Sequence, residues 1–235
     1  MTRRRFIADE VTSNRAALTG SHATHLARVL RARIGQEFDI ATGSEVRHGR
    51  ISAIAEDRVE FELGDVVTEQ ATRPITLVVA VFKFDRFEWA VEKCTELGAS
   101  QIVPVIARRT DTHLAHAAEK RVERWRRIAH EASQQSRRTA APEIAAPIKL
   151  KAHLENPQPA MRILLAENED QVQLGDVCGG SDPIALAIGP EGGWAEDELK
   201  MFSATGWQSA SLGSTILRAE TAAIAALAVV QSLSN

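Results

Sequence analysis

The 235-residue chain has only two cysteines, Cys94 and Cys178. Two thiols build neither a disulfide framework nor a four-ligand zinc site, so a reduced, cytoplasmic protein is expected. No apolar run is long enough for a bilayer. The longest, Ala222 to Val230, is about half of the roughly 20 residues that a spanning helix needs. The opening Met1-Thr2-Arg3-Arg4-Arg5-Phe6 has no apolar stretch behind its basic residues, so no signal peptide is expected. Charge is scarcely biased: 28 Lys+Arg against 31 Asp+Glu leave a net −3. No global field draws such a chain onto a polyanion, and RNA binding would have to rest on local basic patches. There is no GxxxxGK(S/T) phosphate loop and no GxGxxG, which excludes P-loop and dinucleotide Rossmann readings. His22 and His25 stand three apart with no cysteine or third histidine nearby, so no metal is expected. What is present is ordinary globular composition, 44% hydrophobic, enough for one large domain or two modest ones.

Two halves differ in character. Residues 1 to 70 are β-rich, with expected strands at Glu37 to Thr42, Val46 to Ile54 and Arg58 to Leu63. One short helix, His22 to Arg31 with Ser21 as N-cap, interrupts them, which suggests a small barrel. The polar stretch Gly64 to Pro74 marks the boundary, and the second domain spans 74 to 235. There Ile75 to Phe82, Gln101 to Ile106, Arg162 to Ala166, Ile184 to Ile188 and Gln208 to Leu212 read as strands. Helices are expected at Asp85 to Leu97, Ala117 to Ser136, Glu196 to Ala204 and Ala219 to Leu233. The alternation gives an α/β domain on a mainly parallel sheet. The last helix, apolar almost all round, is either deeply buried or paired with a second copy, so a homodimer is plausible.

Three segments carry candidate chemistry. Gly189-Pro190-Glu191-Gly192-Gly193 follows a buried strand, where α/β sheets hold ligands, and its glycines bare the backbone to contact. The bland alternative is a tight strand-to-helix turn. Leu212 to Ala222 joins a short strand to the final helix, and Glu220 falls in the helix's first turn, where the dipole also favours an acid. Between Arg108 and Arg138 stand nine Arg/Lys against four Asp/Glu, and Arg3, Arg4, Arg5, Arg28, Arg31 and Arg33 form a second concentration. Two basic patches suit a polyanion lying across both domains, although such runs are usually solvated faces. Glu88, Glu92 and Glu96 read as an exposed acidic stripe, and Cys94 as core.

These residues resemble the RsmE-type 16S rRNA (uracil-N3)-methyltransferases of the SPOUT superfamily. The matching pieces are Arg4-Arg5-Phe6, His25 with Val29-Leu30-Arg31, Lys83 with Asp85-Arg86, and Lys93-Cys94-Thr95-Glu96-Leu97-Gly98. They continue with Ile102 and Pro104, Arg124-Trp125 with Ile128, Glu131-Ala132, and Gln135-Ser136 with Arg138 and Pro142. Gly189 to Gly193, Leu212-Gly213, Ile216-Leu217-Arg218 and Glu220-Thr221-Ala222 complete the set. Phe84 departs from a usual glycine, and Trp194-Ala195 from an aromatic followed by serine.

The resemblance implies a PUA-like RNA-binding barrel followed by a SPOUT α/β domain with a deep trefoil knot, an exception to unknotted topology. It implies S-adenosylmethionine held by Leu165, Ala166 and Glu167, by Gly189, Pro190, Gly192 and Gly193, and by Leu212, Gly213, Ile216 and Leu217. It implies a homodimer with its active site at the subunit interface, acting on 16S rRNA in the 30S subunit. Uracil N3 is a poor nucleophile until its proton leaves, so charge stabilisation or a base is needed. Arg138 and Arg218 are the candidates for the first role, and Glu191 or Glu220 for accepting the proton or orienting an arginine. N3 lies on the pairing edge, so the base must be unpaired or flipped out. Arg3, Arg4, Arg5, Arg28, Arg31, Lys83, Arg124 and Arg127 are candidate RNA contacts. Two rivals remain: a SPOUT enzyme acting on a ribose 2′-hydroxyl, and a non-catalytic rRNA-binding assembly factor.

Overall fold

The structure, a computed structural model, describes residues 4–67, 73–136 and 138–234. The chain divides into two compact units, Met1–Ala71 with Ser133–Ala141, and Thr72–Ala132 with Pro142–Asn235. The expected boundary, Gly64 to Pro74, overlaps residues 68–72, which lie outside the described residues. The segment 133–141 joins the first unit, where Gln134 Nε2 donates to Ile7 O at 3.4 Å.

The first unit holds β1 (Arg5–Ile7), β2 (Glu10–Val11), β3 (Arg15–Thr19), α1 (Gly20–Thr24), β4 (Glu37–Ala41), β5 (Val46–Ile54) and β6 (Arg58–Val67). They form one sheet in the order β1-β4-β5-β6-β3-β2. Its edge strands are consecutive in the chain: Ala8 N bonds to Ala41 O and Asp9 N to Ala17 O, both at 2.9 Å. A two-residue link between the two edges curls the sheet into a small barrel. The interior takes alternate residues, Leu18, Ile40, Ile51, Val59 and Phe61. A Cβ on Gly49 would stand 2.3 Å from Ile40 Cγ1, so only glycine lets β5 cross there. Helix α1 starts after Thr19 rather than after Ser21, and it passes into a π-helical turn at His25–Val29. Arg31, with φ 52°, stops it in the left-handed conformation usually left to glycine, and Ala32 N reaches back to Leu26 O at 3.2 Å.

The second unit holds β7 (Ile75–Ala80), α2 (Phe84–Glu96), β8 (Gln101–Ile106), α3 (Thr112–Ala117), a 3₁₀ turn (Ala118–Arg121), α4 (Val122–Gln135), β9 (Glu143–Ile144) and β10 (Ile148–Lys149). The last turn of α4, from Ser133, belongs to the first unit. The second unit continues with α5 (Leu150–Leu154), β11 (Met161–Leu165), α6 (Leu174–Val177), β12 (Ile184–Ile188), α7 (Glu196–Ala204), β13 (Gln208–Ala210) and α8 (Ala219–Ser232). All described pairings are parallel, in the order β10-β8-β7-β12-β11-β13 with β9 beside β8. The central strands read as continuous apolar runs because both faces are covered. Leu77, Val79, Ile184, Leu186 and Ile188 pack on one side with α2, α4 and α8. Val78, Ala80, Ala185 and Ala187 pack on the other with Trp194, Phe202 and Trp207. Cys94 is buried in the first of these cores, and desolvation pushes its thiol up to about 12, which makes it inert.

The acidic stripe on α2 is not a solvated face. Glu88, 13% exposed in its side chain, takes Arg124 Nε at 2.7 Å and Arg121 Nη1 at 3.6 Å, and Lys93 bridges Glu92 and Glu96. Glu88 thus neutralises part of the basic run and Lys93 neutralises Glu92 and Glu96, so the basic concentration is weaker in space than in sequence.

Candidate functional site

The loops after β11, β12 and β13 surround a cavity of about 440 Å³, at the carboxyl ends of the strands. That volume lies within the range of small-molecule and cofactor sites, about 300–1,000 Å³. Leu165, Ala166 and Glu167 supply one wall. Gly189, Pro190, Glu191, Gly192 and Gly193 supply the second. Leu212, Gly213, Ile216, Leu217 and Arg218 supply the third. Every residue singled out as cofactor-binding in the sequence lies on this lining.

Local geometry explains the glycines. A Cβ on Gly189 would lie 3.2 Å from Trp194 Nε1, and that indole is backed by Phe202 with ring centroids 4.8 Å apart. Gly193 has φ 68° and closes a turn by donating to Pro190 O at 2.8 Å. Ser211 Oγ donates to Gly213 O and accepts from Gly213 N, both at 3.1 Å, which shapes the third wall. Ile216 stands 80% exposed on the lining. Trp194 Nε1 is buried and has no hydrogen-bond partner among the described residues. It is a donor on the cavity wall in search of an acceptor.

Two residues that sequence patterns passed over complete the site. Glu198, 3% exposed, accepts from Ala195 N at 2.9 Å and from Arg108 N at 2.7 Å. It thereby ties the glycine loop to the loop after β8. Arg109, on that second loop, donates through Nη1 to Gly192 O and lines the cavity. The only signal for Glu198 was its place at the third position of α7, where a glutamate caps the helix start. Arg109 had no signal beyond its charge. Arg109 and Arg218 on the lining balance Glu167 and Glu191. Bare backbone on three loops, apolar side chains and charges of both signs suit a flat heterocycle that carries ionic groups.

The remaining candidates fall elsewhere. Glu220 is buried, 4% exposed, and is not on the lining. Its Oε1 faces Arg86 Nη1 at 3.6 Å, and its Oε2 has no hydrogen-bond partner among the described residues. Arg138 belongs to the first unit, with its backbone N bonded to Ser133 O at 3.0 Å and Nε to Ala140 O at 3.1 Å. Desolvation holds that guanidinium below the ordinary arginine pKa. Of the candidate RNA contacts, Arg28 pairs with Glu56 at 2.8 Å, Arg124 with Glu88, and Arg127 with Glu131 at 3.9 Å. Arg4, Arg31 and Lys83 are exposed, Arg5 is half-buried, and Arg3 lies outside the described residues.

The chain matches two families: an RNA methyltransferase PUA domain over residues 18–64 and an RNA methyltransferase domain over residues 68–231. It is 34% identical over 234 residues to the ribosomal RNA small subunit methyltransferase E of Synechocystis sp., covering 96% of this chain and 75% of that protein. The Bacillus subtilis protein of the same name is 28% identical, with 91% and 88% covered. Among solved structures, the ribosomal RNA small subunit methyltransferase E of Neisseria gonorrhoeae, bound to S-adenosyl methionine, superposes with a TM-score of 0.85. It is 31% identical and covers 99% of this chain and 98% of that one.

Proposed function

The chain belongs to the ribosomal RNA small subunit methyltransferase E family, and we propose that it methylates small-subunit rRNA from S-adenosylmethionine. The observation that carries this reading is the cavity itself, whose three walls are the three motif loops. The residues present fit the cofactor. Gly189, Gly192 and Gly193 give close backbone approach, the unpartnered Trp194 Nε1 offers a donor, and Glu167 and Glu191 complement a cation. Bound there, S-adenosylmethionine supplies an electrophilic methyl group.

The finer reading is methylation at N3 of a uridine in 16S rRNA, on the 30S subunit, in the cytoplasm. N3 must lose its proton before it attacks, and the charge then spreads to the flanking carbonyl oxygens. In this reading Glu191, exposed on the lining, accepts the proton and Arg218, also on the lining, stabilises the oxygens. Glu220, turned to Arg86, serves the start of α8 rather than the reacting base. Arg138 contributes as a second cation, in a homodimer that brings a partner's copy to the site. Support for the dimer is the partly uncovered apolar side of α8, where Ala225, Ala228 and Val229 remain accessible and Leu233 is 43% exposed. The trefoil knot is part of the same reading. Ser211 N bonds to Val172 O at 2.8 Å and Leu174 N to Ser211 O at 2.9 Å, so the segment after β13 runs alongside the 172–174 loop.

The test is methyl transfer to undermethylated 30S subunits and, separately, to stripped 16S rRNA, read by nucleoside mass spectrometry. 3-Methyluridine on the particle is the expected product. Another methylated nucleoside overturns the acceptor, and cofactor binding without transfer to either substrate overturns the activity.

A further inference from the structure

Resting on the proposed rRNA methylation, we propose that Arg109 is an RNA-contact residue, gripping a phosphate beside the nucleotide that enters the cavity. Three observations converge on it. Its side chain lies along the glycine loop: Cδ is 3.4 Å from where a Cβ on Gly192 would stand, and Nη1 donates to Gly192 O. Its backbone is held on both flanks. Thr110 Oγ1 accepts from Ala107 N at 3.1 Å, and buried Glu198 accepts from Arg108 N at 2.7 Å. Its guanidinium is exposed and has no carboxylate partner among the described residues, whereas neighbouring Arg108 is spent on Asp197 at 2.6 Å.

A guanidinium has five N–H donors, and the Gly192 carbonyl takes one of them. The rest form a fixed fork at the cavity's rim, on a backbone already ordered, so little entropy is lost when an anion is gripped. A base that enters the cavity from a strand must leave its sugar and phosphates outside, at the rim. An arginine at the rim therefore meets a phosphate. The Gly192 contact adds a consequence: the same side chain that reads the strand also sets the glycine loop, so RNA engagement and loop shape are coupled through one residue.

The experiment compares wild type, Arg109→Gln and Arg109→Lys without cofactor, in filter binding to 16S rRNA across a salt series, with S-adenosylmethionine affinity measured by calorimetry. Arg109→Gln is expected to weaken rRNA binding about tenfold and to reduce the salt slope by about one. Arg109→Lys keeps the point charge and is expected to lose about threefold or less. Arg109→Gln also loses the contact to Gly192 O, so cofactor affinity is expected to fall as well, but by clearly less than rRNA affinity. Unchanged rRNA affinity and salt slope in Arg109→Gln overturn the inference. So does a loss of cofactor affinity as large as the loss for rRNA, which would assign the cation to the cofactor's carboxylate. The readouts are binding constants, so a wild type that transfers no methyl group refutes the proposed activity while this comparison still decides the role of Arg109.

Discussion

Replacing Glu198 by alanine removes a buried carboxylate that joins two of the site's loops. Ala195 N and Arg108 N, at 2.9 and 2.7 Å, both lose their acceptor in a place where the side chain is 3% exposed. Each buried donor left unpaired costs about 1–3 kcal/mol. Part of that returns, because an ionised carboxylate no longer has to be desolvated. The neighbouring Arg108–Asp197 pair, more than half exposed on both sides, is worth under about 1 kcal/mol and does not compensate. The balance is a loss of about 3 kcal/mol. All four tryptophans, Trp89, Trp125, Trp194 and Trp207, lie in the second unit, so denaturant unfolding followed by tryptophan fluorescence reports that unit. The expected result is a lower midpoint at unchanged slope. Glu198→Gln is expected to lose about half as much, since its amide keeps one acceptor oxygen and turns its NH₂ toward a donor. A Glu198→Ala protein within about 0.5 kcal/mol of wild type would refute the assignment of these two bonds.

Two further outcomes follow from single positions. Ala195 is the N-cap of α7 in extended conformation, φ −77° and ψ 157°, and brings no side-chain acceptor. Ala195→Ser supplies one and is expected to add about 1 kcal/mol in the same fluorescence assay, and an unchanged midpoint would count against the cap. His153 on α5 is buried, its Nε2 has no hydrogen-bond partner among the described residues, and desolvation holds its pKa below 6.5. A base with a depressed folded pKa takes its proton more readily when unfolded. Neutral His153 therefore carries no protonation penalty above about pH 6.5, and stability falls as pH drops from there toward the folded value, by about 1.4 kcal/mol per unit. His153→Gln is expected to flatten that part of the stability–pH curve, and parallel curves for the two proteins would show that His153 does not contribute.

What the sequence made legible follows from the range of the interactions. Gln101–Ile106, Ile184–Ile188 and Glu196–Ala204 have the bounds expected of them, because continuous apolar runs or helical stripes specify them locally, and Val46–Ile54 has its expected bounds as a strand of β-branched and apolar residues set between turns. Strands β1, β2 and β3 had no such mark. Glu10 and Val11 are both exposed, and they pair only because Ala16 and Ala17 of the next strand lie opposite. The cavity was legible because its walls are loops whose glycines are needed for backbone reasons at the same positions.

Charge was the least legible property, and the reason is geometric. Helical periodicity turns Glu220 about 100° from Ala219, and it is Arg218, Ala219 and Ala222 that face the cavity, so a motif that names the glutamate does not place it there. Its partner, Arg86, stands on another helix. On α4, Arg124 found its counterion on α2, 36 residues earlier at Glu88, while Arg126 and Arg127 pair with Glu123 and Glu131 of their own helix. Arg109 acquires its place from a carbonyl 83 residues away. Charged side chains take their roles from whatever the fold brings within about a Debye length, and that distance bears no relation to spacing along the chain. Strings of like charge therefore overstate a nucleic-acid face until the acids opposite them are known. The cavity-lining arginines proposed to act toward RNA are ones the fold leaves without a carboxylate: among the described residues, Arg109 and Arg218 have no ion pair.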